Sequence, residues 1–170
     1  MIAPGPTSST PSTPSIASPT AAVGDAPLVG GRPSLDALGQ AIVDGLNDGD
    51  AAALRAVVVD AGDFKGRLFA AVSNHPSAAQ MGPDLVWQLQ QRESADELAR
   101  SIERHGGQGL RFQELRPAAR EERGEVVLHR RPALVVTDSS GATQTLEFLA
   151  SVIEHPKSGT FVLLAYKVRG

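Results

Sequence analysis

The chain contains no cysteine. Disulfide frameworks, cysteine-ligated zinc, iron–sulfur clusters and thiol nucleophiles are therefore excluded, while the redox compartment stays open. A basic excess is also missing: 16 Lys and Arg stand against 19 Asp and Glu, a net charge of −3. That argues against nucleic acid as a partner, because such binders concentrate cationic side chains on one face. No run approaches the roughly 18 apolar residues needed to cross a bilayer, so no direct membrane insertion is expected. No basic segment followed by an apolar one opens the chain, so no export signal is visible. A signal removed upstream would imply the periplasm or cell envelope, and otherwise the cytoplasm. Tyrosine and tryptophan occur once each, as Tyr166 and Trp87.

What is present changes character near residue 33. Residues 1–33 hold seven of the twelve prolines and stretches such as Pro6-Thr7-Ser8-Ser9-Thr10-Pro11 with no hydrophobic period. Such a segment cannot bury enough apolar area to offset its ordering entropy, so it reads as a disordered Pro/Ser/Thr-rich tail or linker. It is a flexible stalk, or a segment that orders on a partner through Val23, Leu28 and Val29. Roughly 135 residues remain, about one ordinary domain, spanning 34–170.

Ser34 is a good N-cap, and Leu35, Leu38, Ile42 and Leu46 recur at helical spacing. Asn47-Asp48-Gly49 ends this helix and Asp50 caps a second carrying Leu54, Val57 and Val58. A short third helix is expected from Phe64 to Val72, a helical turn from Pro83, and a helix from Glu93 to His105. The period then changes from 3.6 to 2. Four strands are expected: Gly109–Leu115, Glu125–Thr137, Thr143–Glu154 and Thr160–Arg169. Glu114, Arg116, Arg120, Glu121, Glu122 and Arg123 read as a charged loop. Pro132 implies a bend within its strand. Helices followed by an antiparallel meander make an α+β domain, with helices packed on one face of a curved sheet.

The turn Asp138–Ala142 sets Val136 opposite Gln144 and Leu134 opposite Leu146. The next turn sets Val152 near Val162 and Phe148 near Tyr166. One sheet face is then a core of Leu128, Leu134, Leu146, Phe148, Val152, Val162 and Tyr166. The other mixes Leu149, Phe161 and Leu163 with Arg131 and Glu147, and reads as an interface with a second subunit. Leu149→Asp is expected to yield monomers.

The order of elements and the joint Leu46-Asn47-Asp48-Gly49-Asp50-Ala51-Ala52-Ala53-Leu54 resemble the nuclear transport factor 2-like superfamily over residues 34–169. The resemblance implies a strongly bent sheet that wraps the helices into a cone. The superfamily hosts isomerases, dehydratases and non-catalytic binding domains, so the fold does not name a function.

Catalytic motifs are missing. Asp44, Asp48 and Asp50 lack the spacing of a calcium loop. The His105–Gly109 stretch lacks a phosphate-loop ending, and no Gly-x-Ser-x-Gly turn exists. His75, His105, His129 and His155 are scattered, without metal-ligand spacing. No metal or cofactor is implied. Tyr166, Trp87, Arg130 and Phe148, with Asp84 and His129 as further polar candidates, are the residues available to line a pocket for a small apolar ligand. Arg130 and Arg131 could hold an anion, although adjacent strand residues point to opposite faces. The expected function is a non-catalytic binding or assembly domain, homodimeric and tethered in a bacterial envelope or multiprotein assembly. The alternative is a small isomerase- or dehydratase-like enzyme.

Overall fold

The computed structural model describes residues 24–73 and 75–167, together with Gly5. The expectation for the rest of residues 1–23, including Val23 as an anchor, lies outside the described residues.

The helix pair forms where its caps place it. In α1 (Leu35–Asp48) the Ser34 Oγ accepts from the Ala37 amide at 3.0 Å, and Gly49 closes the helix at φ 62°. Asp50 caps α2 (Ala51–Ala56) by accepting from the Ala52 and Ala53 amides. The chain then runs beside the sheet as a single parallel bridge, Val58 to Leu163. Helix α3 (Ala61–Asp63) starts at an Asp60 cap, earlier than its apolar pattern suggests. It continues through a π-helical turn (Phe64–Leu68) into α4 (Phe69–Val72). Helix α5 (Pro76–His105) is one 30-residue element interrupted at Gly82, whose φ of 76° and ψ of 166° are non-helical.

Among the described residues seven strands replace the four expected: β1 (Arg111–Arg116), β2 (Ala119–Arg123), β3 (Val126–Arg130), β4 (Ala133–Thr137), β5 (Thr143–Leu146), β6 (Ser151–His155) and β7 (Thr160–Leu163). They form two antiparallel sheets, ordered β1-β4-β5 and β2-β3-β6-β7. Each long strand is divided: between β3 and β4 at Arg131-Pro132, and between β5 and β6 at residues 147–150. The bend expected at Pro132 is there, and Arg131 takes a φ of 49°. Most of the expected charged loop is the edge strand β2. Its charges are paired two residues apart along the strand, Arg120 with Glu122 and Arg123 with Glu121. A charged edge also discourages pairing with another chain.

The β4–β5 register matches expectation, with Leu134 opposite Leu146 and Val136 opposite Gln144. The β6–β7 register is one residue away: Val152 faces Leu163, and Ile153 faces Val162. Between the strands, Phe148 and Leu149 are consecutive and both buried, so strict alternation fails there and the inward set changes.

That shift corrects the expected second-subunit face. Leu149 and Leu163 belong to the main core, with Leu38, Ile42, Leu54 and Tyr166. The opposite side of β2-β3-β6-β7, carrying Val126, Leu128, Ile153 and Val162, is covered by this chain's own Leu28, Val59, Phe64 and Leu68. Leu28, assigned by composition to the tail, is 3% exposed. Main-chain bonds in both directions between Arg32 and Phe161, at 2.7 and 2.8 Å, tie the same segment to β7. Burying each such Leu or Phe contributes roughly 1.5–3 kcal/mol. Leu149→Asp therefore places a carboxylate in the protomer's core and is expected to unfold it.

Candidate functional site

The space between helices and sheet is filled around Tyr166. Its hydroxyl donates to the Leu54 carbonyl at 2.7 Å, and its amide donates to Ser94 Oγ at 3.0 Å. Burial pushes the phenol well above its ordinary pKa. Phe148 stacks on Tyr166 with centroids 5.9 Å apart, and His105 stacks on Phe148 at 6.1 Å. Burial, then the neighbouring Arg104, lower the His105 pKa against the opposing pull of Glu97. Two of the expected pocket residues thus do meet, as core. Trp87 packs on Phe64 at 5.1 Å, in the second cluster, and Asp84 pairs with Lys65 at the surface.

Four openings stand out among the described residues. A space of about 90 Å³ beside Tyr166 is lined by Arg55, Gln91 and Ser94. A groove of about 270 Å³ runs between the first half of α5 and residues 164–167, with Met81, Val86, Leu89 and Leu164 in its walls. A cleft of about 330 Å³ includes Arg67, Arg123, Glu125 and His155. The half-buried Arg67 guanidinium there reaches Asp63 at 2.9 Å and the carbonyls of Gly24 and Ala26 at 3.2 and 2.7 Å. Asp63 in turn accepts from the Val29 amide at 2.8 Å. These bonds fasten residues 24–29 to the body.

The fourth opening, about 480 Å³, lies where β3 gives way to β4. Its lining includes Arg130, Arg131, Glu121 and the small residues Ala118, Ala119 and Ala150. Arg130 Nη2 donates to Glu121 Oε2 at 3.3 Å, while Arg130 Nε is buried without a partner. Hydrogen bonds from Arg123 and then Arg130 hold the Glu121 pKa below its ordinary value. The exposed Arg131 enters no ion pair among the described residues. Glu147, expected beside it, is exposed.

One pairing escaped the sequence reading. His129 Nε2 lies 2.7 Å from Glu154 Oε2, a base and a carboxylate on one sheet face. The shifted register creates it: Val127 faces Glu154 and His129 faces Val152, so the two side chains meet diagonally. Neither residue lines any of these four openings. Phe161 packs beside His129 at 6.0 Å. Among the described residues no three His, Asp or Glu side chains converge as metal ligands.

Large apolar side chains are exposed at four described positions: Val29, Met81, Leu85 and Leu89. Three of them lie on α5. The fold defines the chain as an α+β domain with helices packed on two antiparallel sheets. Comparison with protein-family models, curated proteins and solved structures gives no match.

Proposed function

We propose that the chain is a nuclear transport factor 2-like, non-catalytic binding or assembly domain, tethered through its Pro/Ser/Thr-rich amino-terminal stretch, and that it pairs with a second copy of itself through the first half of α5. The helix pair, the early bridge at Val58 and the divided antiparallel strands support the superfamily reading. The observation that carries the assembly reading is the exposure of Met81, Leu85 and Leu89 at 42, 44 and 46%. A well-covered chain leaves a cluster of large apolar side chains in water where something else covers it.

The rim of the adjoining groove favours a second copy as the occupant. Lys167 pairs with Glu93 in its lining, and Asp84, on the first half of α5, pairs with Lys65. Both signs of charge are present, so no net field selects a strongly charged partner. A two-fold related copy matches such a rim with its own.

Sedimentation of the full-length chain should give a dimer, and Leu85→Asp with Leu89→Asp should give a folded monomer. A wild-type monomer at all concentrations, or an unchanged mass in the double variant, sinks this reading.

A further inference from the structure

The cleft between β3 and β4 contains the one place, among the described residues, where a side chain sits on backbone of positive φ. Nine described residues adopt a positive φ, and eight are glycine; the ninth is Arg131 at 49°. Glycine occupies this region without a steric penalty, whereas a residue with a Cβ pays roughly 1–2 kcal/mol. Strained backbone of this kind clusters at ligand clamps and active sites. The unusual φ also answers the objection that neighbouring strand residues diverge. The strand pattern ends at Arg130, and both guanidinium-bearing residues line the same cleft.

Charge in the cleft is unbalanced. The Glu121 carboxylate is held by Arg123 at 2.9 Å and Arg130 at 3.3 Å, so it serves two cations. Of the two cations that line the cleft, Arg130 shares this carboxylate with Arg123 from outside it, and Arg131 has no ion-pair partner among the described residues. Arg130 Nε is a buried donor without an acceptor, a group whose desolvation is uncompensated unless something supplies oxygen. Guanidinium groups match planar or tetrahedral oxyanions with paired donors. Ala118, Ala119 and Ala150 leave room and offer an apolar wall for the body of a small molecule.

We propose that this cleft binds the oxyanion end, carboxylate or phosphate, of a small ligand, with Arg131 as the principal contact and Arg130 as the second. The site is independent of α5 and of the dimer.

The test titrates the full-length protein with inorganic phosphate or with butyrate, at ionic strength held constant with sodium chloride. Arginine Nε–Hε resonances are followed by NMR. Saturable shifts of Arg130 and Arg131 are expected. Tighter binding of phosphate would mark a phosphate-bearing ligand. Tighter binding of butyrate would mark a carboxylate whose chain rests on the alanines. Arg131→Gly relieves the backbone while removing the guanidinium, so its thermal midpoint should not fall, yet affinity should weaken by about tenfold. Ala119→Glu, at an exposed position, should weaken both anions by repulsion, and Arg92→Gln on α5 should leave them unchanged. Absence of saturation with either anion overturns the proposal. So does an Arg131→Gly affinity equal to wild type, or equal losses in Arg92→Gln and Arg131→Gly.

Discussion

Tyr166 donates its hydroxyl hydrogen to the main-chain oxygen of Leu54 across 2.7 Å, joining the end of the chain's last described stretch to the six-residue helix α2. Leu54 lies among the last four residues of α2, whose carbonyls have no partners within the helix. The phenol therefore caps a helix too short to hold itself, besides filling the core. Tyr166→Phe keeps the ring stack on Phe148 and leaves that carbonyl buried and unpaired. A loss of about 1–3 kcal/mol is expected in urea unfolding. An unchanged midpoint would show that water replaces the hydroxyl.

Gly39 sits inside α1 against the ring of Phe112, so close that a Cβ there would stand 2.3 Å from the ring edge. On an open helix face, alanine in place of glycine stabilises by roughly 0.5–1 kcal/mol. At this contact it should instead destabilise, since overpacking costs about 1–3 kcal/mol. Phe112→Leu should relieve the clash, so the double variant Gly39→Ala with Phe112→Leu should lose less than the two single losses together. Strict additivity in thermal unfolding would rule out the contact as the cause.

Asp138 organises the β4–β5 turn. Its carboxylate accepts from the Ser140 hydroxyl at 2.6 Å, Gln144 Nε2 at 2.7 Å, and the Ser140 and Ala142 amides at 2.9 and 3.0 Å. These bonds, that from the Ser140 hydroxyl foremost, lower its pKa to about 2. A depressed pKa in the folded state stabilises above the unfolded value of about 4, and that contribution is lost as pH falls toward about 2. Asp138→Asn should reduce stability near neutrality and show a shallower decline through this window. Parallel stability-against-pH curves for the two proteins would contradict the assignment.

Local chemistry made much of the fold readable. Ser34, Gly49 and Asp50 set the first helices because caps act within a few residues. The β4–β5 register follows from a five-residue turn and an unbroken alternation. Other features depend on partners distant in sequence. Strand β2 looks like a loop because its charges are satisfied along the strand, and only the β3 edge reveals its pairing. Consecutive buried residues at Phe148-Leu149 move the next register by one, which hid the His129–Glu154 pair and turned Leu149 and Leu163 inward. The cover on the outer sheet face comes from Leu28 and the helices around Phe64, which no periodicity within the strands announces. At the Arg130-Arg131 cleft, the sequence carried the cations, but the positive φ that gathers them does not follow from strand alternation.

The doubly covered sheet has a consequence for how the chain is made. Leu28, Phe64, Leu68 and Trp87 leave the ribosome before their seat on Val126, Leu128, Ile153 and Val162 exists. Synthesis proceeds at about 5–20 residues per second, so these groups wait several seconds in water for the strands that shelter them. The amino-terminal half cannot mature by itself. Its helices are clients of the strands that follow, and the last hairpin to emerge, β6–β7, is the one that closes both cores at once.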